Sequence, residues 1–190
     1  MEKKRQWLLT TTLFISLGLA ACGSQSVLSQ ADANTQTTTK TSTTSTTQTA
    51  SYFEASDLTA TYDESKASKI SLQGTTATVS GDGVTVNGST VEITKAGTYI
   101  VEGTASKVQL KVAAGKQDEV QIVFKNATLK NTEAPLLVDT AKKVILTVAD
   151  GTKNEVADES TSTVKGAIYS DSDLTINGKG SLTVNGAASN

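Results

Sequence analysis

Val120-Gln-Ile-Val-Phe-Lys-Asn126-Ala-Thr-Leu129 can be laid over Val144-Ile-Leu-Thr-Val-Ala-Asp150-Gly-Thr152 at an offset of 24 residues. It can be laid again, more loosely, over Leu174-Thr-Ile-Asn177-Gly-Lys-Gly180-Ser-Leu182. Self-similarity at this period marks a solenoid, in which each repeat buries its apolar face against the next. Within each segment apolar residues alternate: Val120, Ile122 and Phe124; Val144, Leu146 and Val148; Leu174 and Ile176. The same period of two runs outward to Val84 and Val86, Val91 and Ile93, Tyr99 and Val101, and Val108, Leu110 and Val112, and ends with Leu182 and Val184. Short β-branched runs ending in Gly, Asn or Asp are strands, and no helical period follows residue 21. The fold class is all-β.

Tight bends between solenoid strands need φ > 0, which Gly and Asn supply at least cost. Asn126, Asn131, Asn154, Asn177 and Asn185 fall where such bends are expected. A right-handed parallel β-helix, its inward residues stacked from coil to coil, is the preferred architecture. An immunoglobulin-like β-sandwich is the alternative, because Thr98-Tyr-Ile-Val-Glu-Gly103 resembles strands of surface sandwich domains and 139 residues suit one.

The first 51 residues read differently. Lys3, Lys4 and Arg5 precede a thirteen-residue apolar run from Trp7 to Leu19. At about 1.5 Å per residue it is too short for a bilayer core of about 30 Å, so residues 1–21 read as a cleavable export signal. Leu19-Ala-Ala-Cys22-Gly23 resembles the bacterial lipobox, which implies acylation of Cys22 and a bacterial lipoprotein anchored on the extracellular face of the cell membrane. Residues 22–51 carry that cysteine and a Ser/Thr-rich tether, with ten Thr among the fifteen residues Thr35 to Thr49. Such a stretch cannot bury enough surface to offset about 1–2 kcal/mol per residue of backbone ordering. Residues 52–190 form the domain.

Composition excludes several chemistries. Of 17 cations and 19 acids, residues 1–21 hold three and one, which leaves 14 Lys against 18 acids and a net charge of −4. The chain has no His, and Arg5, Trp7 and Cys22 are the sole representatives of their types. Ser-His-Asp and Cys-His hydrolases, His-ligated metals and disulfide frameworks are excluded. With no basic stripe, nucleic acid is not an expected partner.

The ordered series Val84-Thr-Val-Asn-Gly88, Val91 to Gly103, Val120 to Asn126, Val144 to Asn154 and Ala167 to Val184 is similar to one bacterial family. It comprises secreted carbohydrate-binding proteins with a pectate-lyase-like right-handed β-helix, many of them lipoproteins. The resemblance covers about Ile70 to Gly186. It implies a surface protein that binds polysaccharide, polygalacturonate-like polymers among the candidates, with calcium on the helix. In that family further coils normally follow the segment matching Leu174 to Val184. Nothing after Val184 reads as a cap, so a solenoid truncated at its C-terminus is expected.

Asp150, Asn154, Asp158, Asp171 and Asp173 are the candidate calcium ligands, since calcium takes six to eight oxygens and strand bends can bring these together. Tyr169 lies out of phase with its apolar neighbours and is the candidate sugar-stacking residue. Lys142, Lys143 and Lys179 are the candidate contacts for an acidic polymer. The β-elimination enzymes with this fold commonly use an arginine base, which the mature chain lacks, so catalysis is not expected. The alternative to polysaccharide binding is a structural or adhesive surface module that binds protein, or a solenoid fragment with no activity of its own. If Cys22 is the lipidation site, palmitate fed to expressing cells will label the chain. Cys22→Ala will abolish the label and shift the protein from the membrane fraction to the soluble one.

Overall fold

Rung-to-rung pairing in the computed structural model, which describes residues 52–159 and 166–187, sorts thirteen strands into two sheets. The strands are β1 (Ser68–Gly74), β2 (Thr76–Ser80), β3 (Val84–Asn87), β4 (Thr90–Ile93), β5 (Gly97–Ser106), β6 (Gln109–Ala113) and β7 (Glu119–Asn131). They continue with β8 (Leu136–Thr140), β9 (Lys143–Val148), β10 (Lys153–Asp158), β11 (Ile168–Ser170), β12 (Asp173–Gly178) and β13 (Ser181–Asn185). The first sheet runs β12-β9-β7-β5-β1-β2, with β10 and β13 extending it beside the far half of β7. The second runs β11-β8-β6-β4-β3. Antiparallel pairing is confined to the hairpins β1–β2 and β3–β4, and every other pairing among the described residues is parallel. The result is a parallel β-solenoid of about four turns, with no helix among the described residues. The sandwich alternative falls, since its sheets are antiparallel. The signal segment, Cys22 and the whole tether lie outside the described residues.

Register explains the sequence pattern. Tyr99 pairs with Ile122, Ile122 with Leu146, and Leu146 with Ile176. Ile70, Val101, Phe124 and Val148 form the adjacent row. On the second sheet Val91, Leu110, Leu136 and Ile168 stack in the same way. Tyr99, Ile122, Phe124, Leu110, Leu136 and Leu146 are completely or almost completely buried, each contributing about 1.5–3 kcal/mol of burial free energy. The buried Tyr99 hydroxyl donates to the Lys95 carbonyl at 2.8 Å, so its polar tip is satisfied.

The bends differ from the sequence expectation. Of the five asparagines, only Asn126 has positive φ, at 57°. It lies in a bulge of β7, where the register with β5 shifts between the Val101–Phe124 and Gly103–Ala127 pairs. Gly103 needs its missing side chain, because a Cβ there would lie 2.5 Å from the Leu72 carbonyl oxygen. Asn131, Asn154, Asn177 and Asn185 lie within strands. Asn131 works through its side chain, its Oδ1 accepting from the backbone N–H of Thr132 and Glu133 at 2.7 and 3.3 Å. Asn154 is buried and bridges three chain segments. Its Oδ1 accepts from Ala127 N at 2.8 Å, and its Nδ2 donates to Thr152 Oγ1 and the Ser181 carbonyl at 2.9 and 3.2 Å. Asn154→Ala leaves the buried Ala127 N–H without its acceptor and should cost about 1–3 kcal/mol in a urea melt. Asn185→Ala at the exposed rim should cost within about 0.5 kcal/mol.

Candidate functional site

Three consecutive apolar residues recur at Tyr99-Ile100-Val101, Ile122-Val123-Phe124 and Val144-Ile145-Leu146. In a strand such triplets bury both faces, and the structure shows what covers the outer one. Residues 54–67 form a strap crossing the outside of the first sheet from β12 toward β1. Ile100, Val123 and Ala149 make a small second core there, against Tyr62 and Ala67.

Beside that core the sheet presents polar side chains in register. Thr98 pairs with Gln121, and Thr147 with Asn177. Thr98 Oγ1 donates to Gln121 Oε1 at 3.2 Å, Gln121 Nε2 to Thr147 Oγ1 at 3.1 Å, and Thr147 Oγ1 to Asn177 Oδ1 at 2.8 Å. The remaining donor capacity goes to the strap backbone. Asn177 Nδ2 donates to the carbonyls of Asp57 and Thr59 at 2.9 and 3.1 Å, and Gln121 Nε2 to that of Thr61 at 3.4 Å. Thr175 Oγ1 donates to Asp57 Oδ1 at 3.0 Å.

Three ion pairs, made by two lysines, fix the strap. Lys143 Nζ lies 3.0 Å from Asp57 Oδ1 and 2.8 Å from Glu54 Oε2, and Lys125 Nζ lies 2.9 Å from Glu64 Oε1. Lys143 and Asp57 side chains are 8% and 5% exposed, so solvent screens this pair far less than the half-exposed Lys125–Glu64 pair. The Asp57 carboxyl is held below its ordinary range by the Glu54 backbone N–H first and by Lys143 second. A hydrogen bond from Lys143 lowers Glu54, and its bonds to Glu54 and Asp57 raise Lys143.

On the flank of the strap a cleft of about 390 Å³ is lined by Tyr62, Lys125, Thr147, Asp150, Thr152 and Lys179, among others. It brings together two of the residues singled out from sequence, Asp150 and Lys179, both exposed. The other candidates are dispersed. Asp158 is buried, and Asn154 spends its amide on backbone and Thr152. Asp171 accepts from the Tyr169 hydroxyl at 2.8 Å, and Asp173 lines a separate hollow with Tyr52, Phe53 and Lys143. Among the described residues no three of His, Cys, Asp and Glu could hold a metal ion. The five expected ligands therefore do not fit one calcium cage of six to eight oxygens.

Tyr169 does face outward, on the second sheet, in a row with Leu137 and Lys111. It is half-buried and far in the chain's topology from the strap. Lys142 is exposed but paired to Glu119 at 2.5 Å. Lys143 corrects its expectation: it is buried under the strap, because two carboxylates of the strap compensate its charge. Tyr62, Gln121, Thr175 and Asn177 escaped the sequence reading. The apolar triplets were the signal that something covers this face.

A parallel β-solenoid with a polar, partly covered sheet face defines the class to which comparison with known proteins adds a family. The family model described as "Carbohydrate-binding domain-containing protein" matches residues 87–190, and the chain belongs to that family. A carbohydrate-binding domain-containing protein of Acetivibrio thermocellus is 37% identical over 113 residues, covering 55% of this chain and 40% of the relative. The solved polysaccharide lyase-like protein from C. thermocellum, a gadolinium derivative, superposes with a TM-score of 0.57 at 32% identity. That match covers 63% of this chain and 52% of the other. The chain thus spans about half or less of each relative's length.

Strap docking has a defined pH window. Asp57 and Glu54 are depressed, so their contribution is present above the unfolded carboxylate values of about 4 and is lost as pH falls through the folded ones. Lys143 is raised, so its contribution is complete below about 10.4 and is lost as pH rises through its folded value. Thermal melts should show a plateau between about pH 5 and 10 with losses on both sides. Lys143→Met should flatten the alkaline flank and only reduce the acid one, since the Glu54 N–H still holds Asp57 down.

Proposed function

We propose that this is a lipid-anchored, non-catalytic protein of the bacterial cell surface that binds polysaccharide on the outer face of its first sheet. The observation that carries the reading is the flank cleft. It is a concave space walled by Thr147, Thr152 and the Tyr62 ring of the strap, and lined by two ammonium-bearing residues, Lys125 and Lys179. An apolar wall with a few convergent polar groups is the general form of a small-ligand site. Membership of a carbohydrate-binding family supports assigning sugar as the ligand. Acylated Cys22 and the tether would hold the domain above the membrane.

The absence of Arg and His from residues 23–190 supports a binding role over catalysis. The cleft holds one carboxylate, Asp150, whereas glycoside hydrolysis in most families uses a facing pair. The dispersed acids argue for direct contact with the polymer through lysines, without a calcium bridge.

Wild-type protein should be retained on immobilised polygalacturonate, and retention should persist in chelator. Lys179→Ala should weaken retention about tenfold, equivalent to about 1.4 kcal/mol. Failure of the wild type to bind polygalacturonate, xylan or soluble glucan in an affinity gel would overturn the reading. Loss of retention in chelator would restore calcium to it.

A further inference from the structure

Resting on that reading, we propose that the strap is an internal stand-in for the polymer, occupying a groove into which an acidic polysaccharide binds by displacing it. The strap is an extended chain whose contacts to the sheet are those an acidic glycan would make. Its carbonyl oxygens accept from Asn177 and Gln121, as sugar oxygens would. Its carboxylates sit on two lysines of this face, Asp57 and Glu54 on Lys143 and Glu64 on Lys125. Thr175 adds a hydroxyl donor to the Asp57 carboxylate.

The donors repeat with the solenoid rungs, about 4.8 Å apart, so they form a ladder that any extended polymer of acceptors can follow. The strap also divides the face. The cleft at Tyr62 lies on one side, and a second hollow lined by Thr98, Gln121 and Ile145 lies on the other, with Thr61 bordering both. Removing the strap joins the two across the sheet. The matching charge identifies the class of competitor. A neutral glycan would leave Lys143 buried and unpaired, whereas a uronate polymer restores its counter-charge. Wholly apolar packing would be the mark of a permanent cover, but here seven strap contacts are hydrogen bonds or ion pairs that a ligand can replace one for one.

Cleavage of the full chain after Glu64 by a glutamyl endopeptidase, mapped by mass spectrometry, reads strap release, because the protease must take the carboxylate that Lys125 holds. Saturation with polygalacturonate should speed this cleavage about tenfold while the β-sheet circular dichroism is unchanged. Asp57→Asn, which keeps the side chain's size and leaves Glu54 on Lys143, should speed it several-fold without ligand and keep the melting temperature within a few degrees. Slower or unchanged cleavage in protein that demonstrably binds the polymer would overturn the displacement and leave the binding reading intact. So would cleavage that tracks global unfolding in Asp57→Asn. Absence of polymer binding altogether would sink both.

Discussion

In-register parallel pairing between rungs is the constraint on which the rest of this molecule depends. Each strand takes its hydrogen bonds from the rung before and offers them to the rung after, so a residue's neighbours are fixed by the repeat. A side chain on Ile122 therefore meets Tyr99 and Leu146, and a side chain on Gln121 meets Thr98 and Ile145. The core and the outer face are two readings of one register. Shifting a strand by one residue would exchange them, placing Gln121 inside and Ile122 in water. The cost of burying an unpaired amide keeps the register in place as firmly as the apolar stacks do.

That logic decides how much could be read from sequence. Period-two alternation specified the strands and the inward rows, because burial leaves a compositional trace at every second position. The repeat near 24 residues specified parallel stacking for the same reason. The bends were less legible. Asn126 and Asn154 look alike in the sequence, yet one supplies backbone conformation and the other a buried amide that ties Ala127, Thr152 and Ser181. Only three-dimensional placement separates the two uses, since Asn is suited to both.

The site was legible at single residues and not as a constellation. Asp150 and Lys179 were singled out by type, and they meet because the turn after β9 and the end of β12 occupy neighbouring rungs. Asp158 and Asn154 were singled out by the same rule and are buried, because alternation within β10 turns them toward the core. The Lys143 contact to Asp57 spans 86 residues and joins the strap to the fourth coil. No local pattern encodes such a pair. Its one trace was indirect: Ile100, Val123 and Ile145 sit on the face that should have been polar.

The strap also changes what the solenoid's length means for binding. A bare ladder of rungs would present the same polar row at every coil, and its affinity would grow with each added repeat. Here the row formed by Gln121, Thr147 and Asn177 is already satisfied by residues of its own chain. A ligand that displaced the strap, as we propose, would gain only the difference between its contacts and those of the strap, plus the entropy regained when residues 54–64 are freed. In that displacement short sugars would not replace seven contacts spread over three rungs, whereas a long chain would replace them all at once. On the displacement we propose, the same contacts that complete the fold would set a length threshold for the polymer, and the acids at Glu54, Asp57 and Glu64 would set its charge.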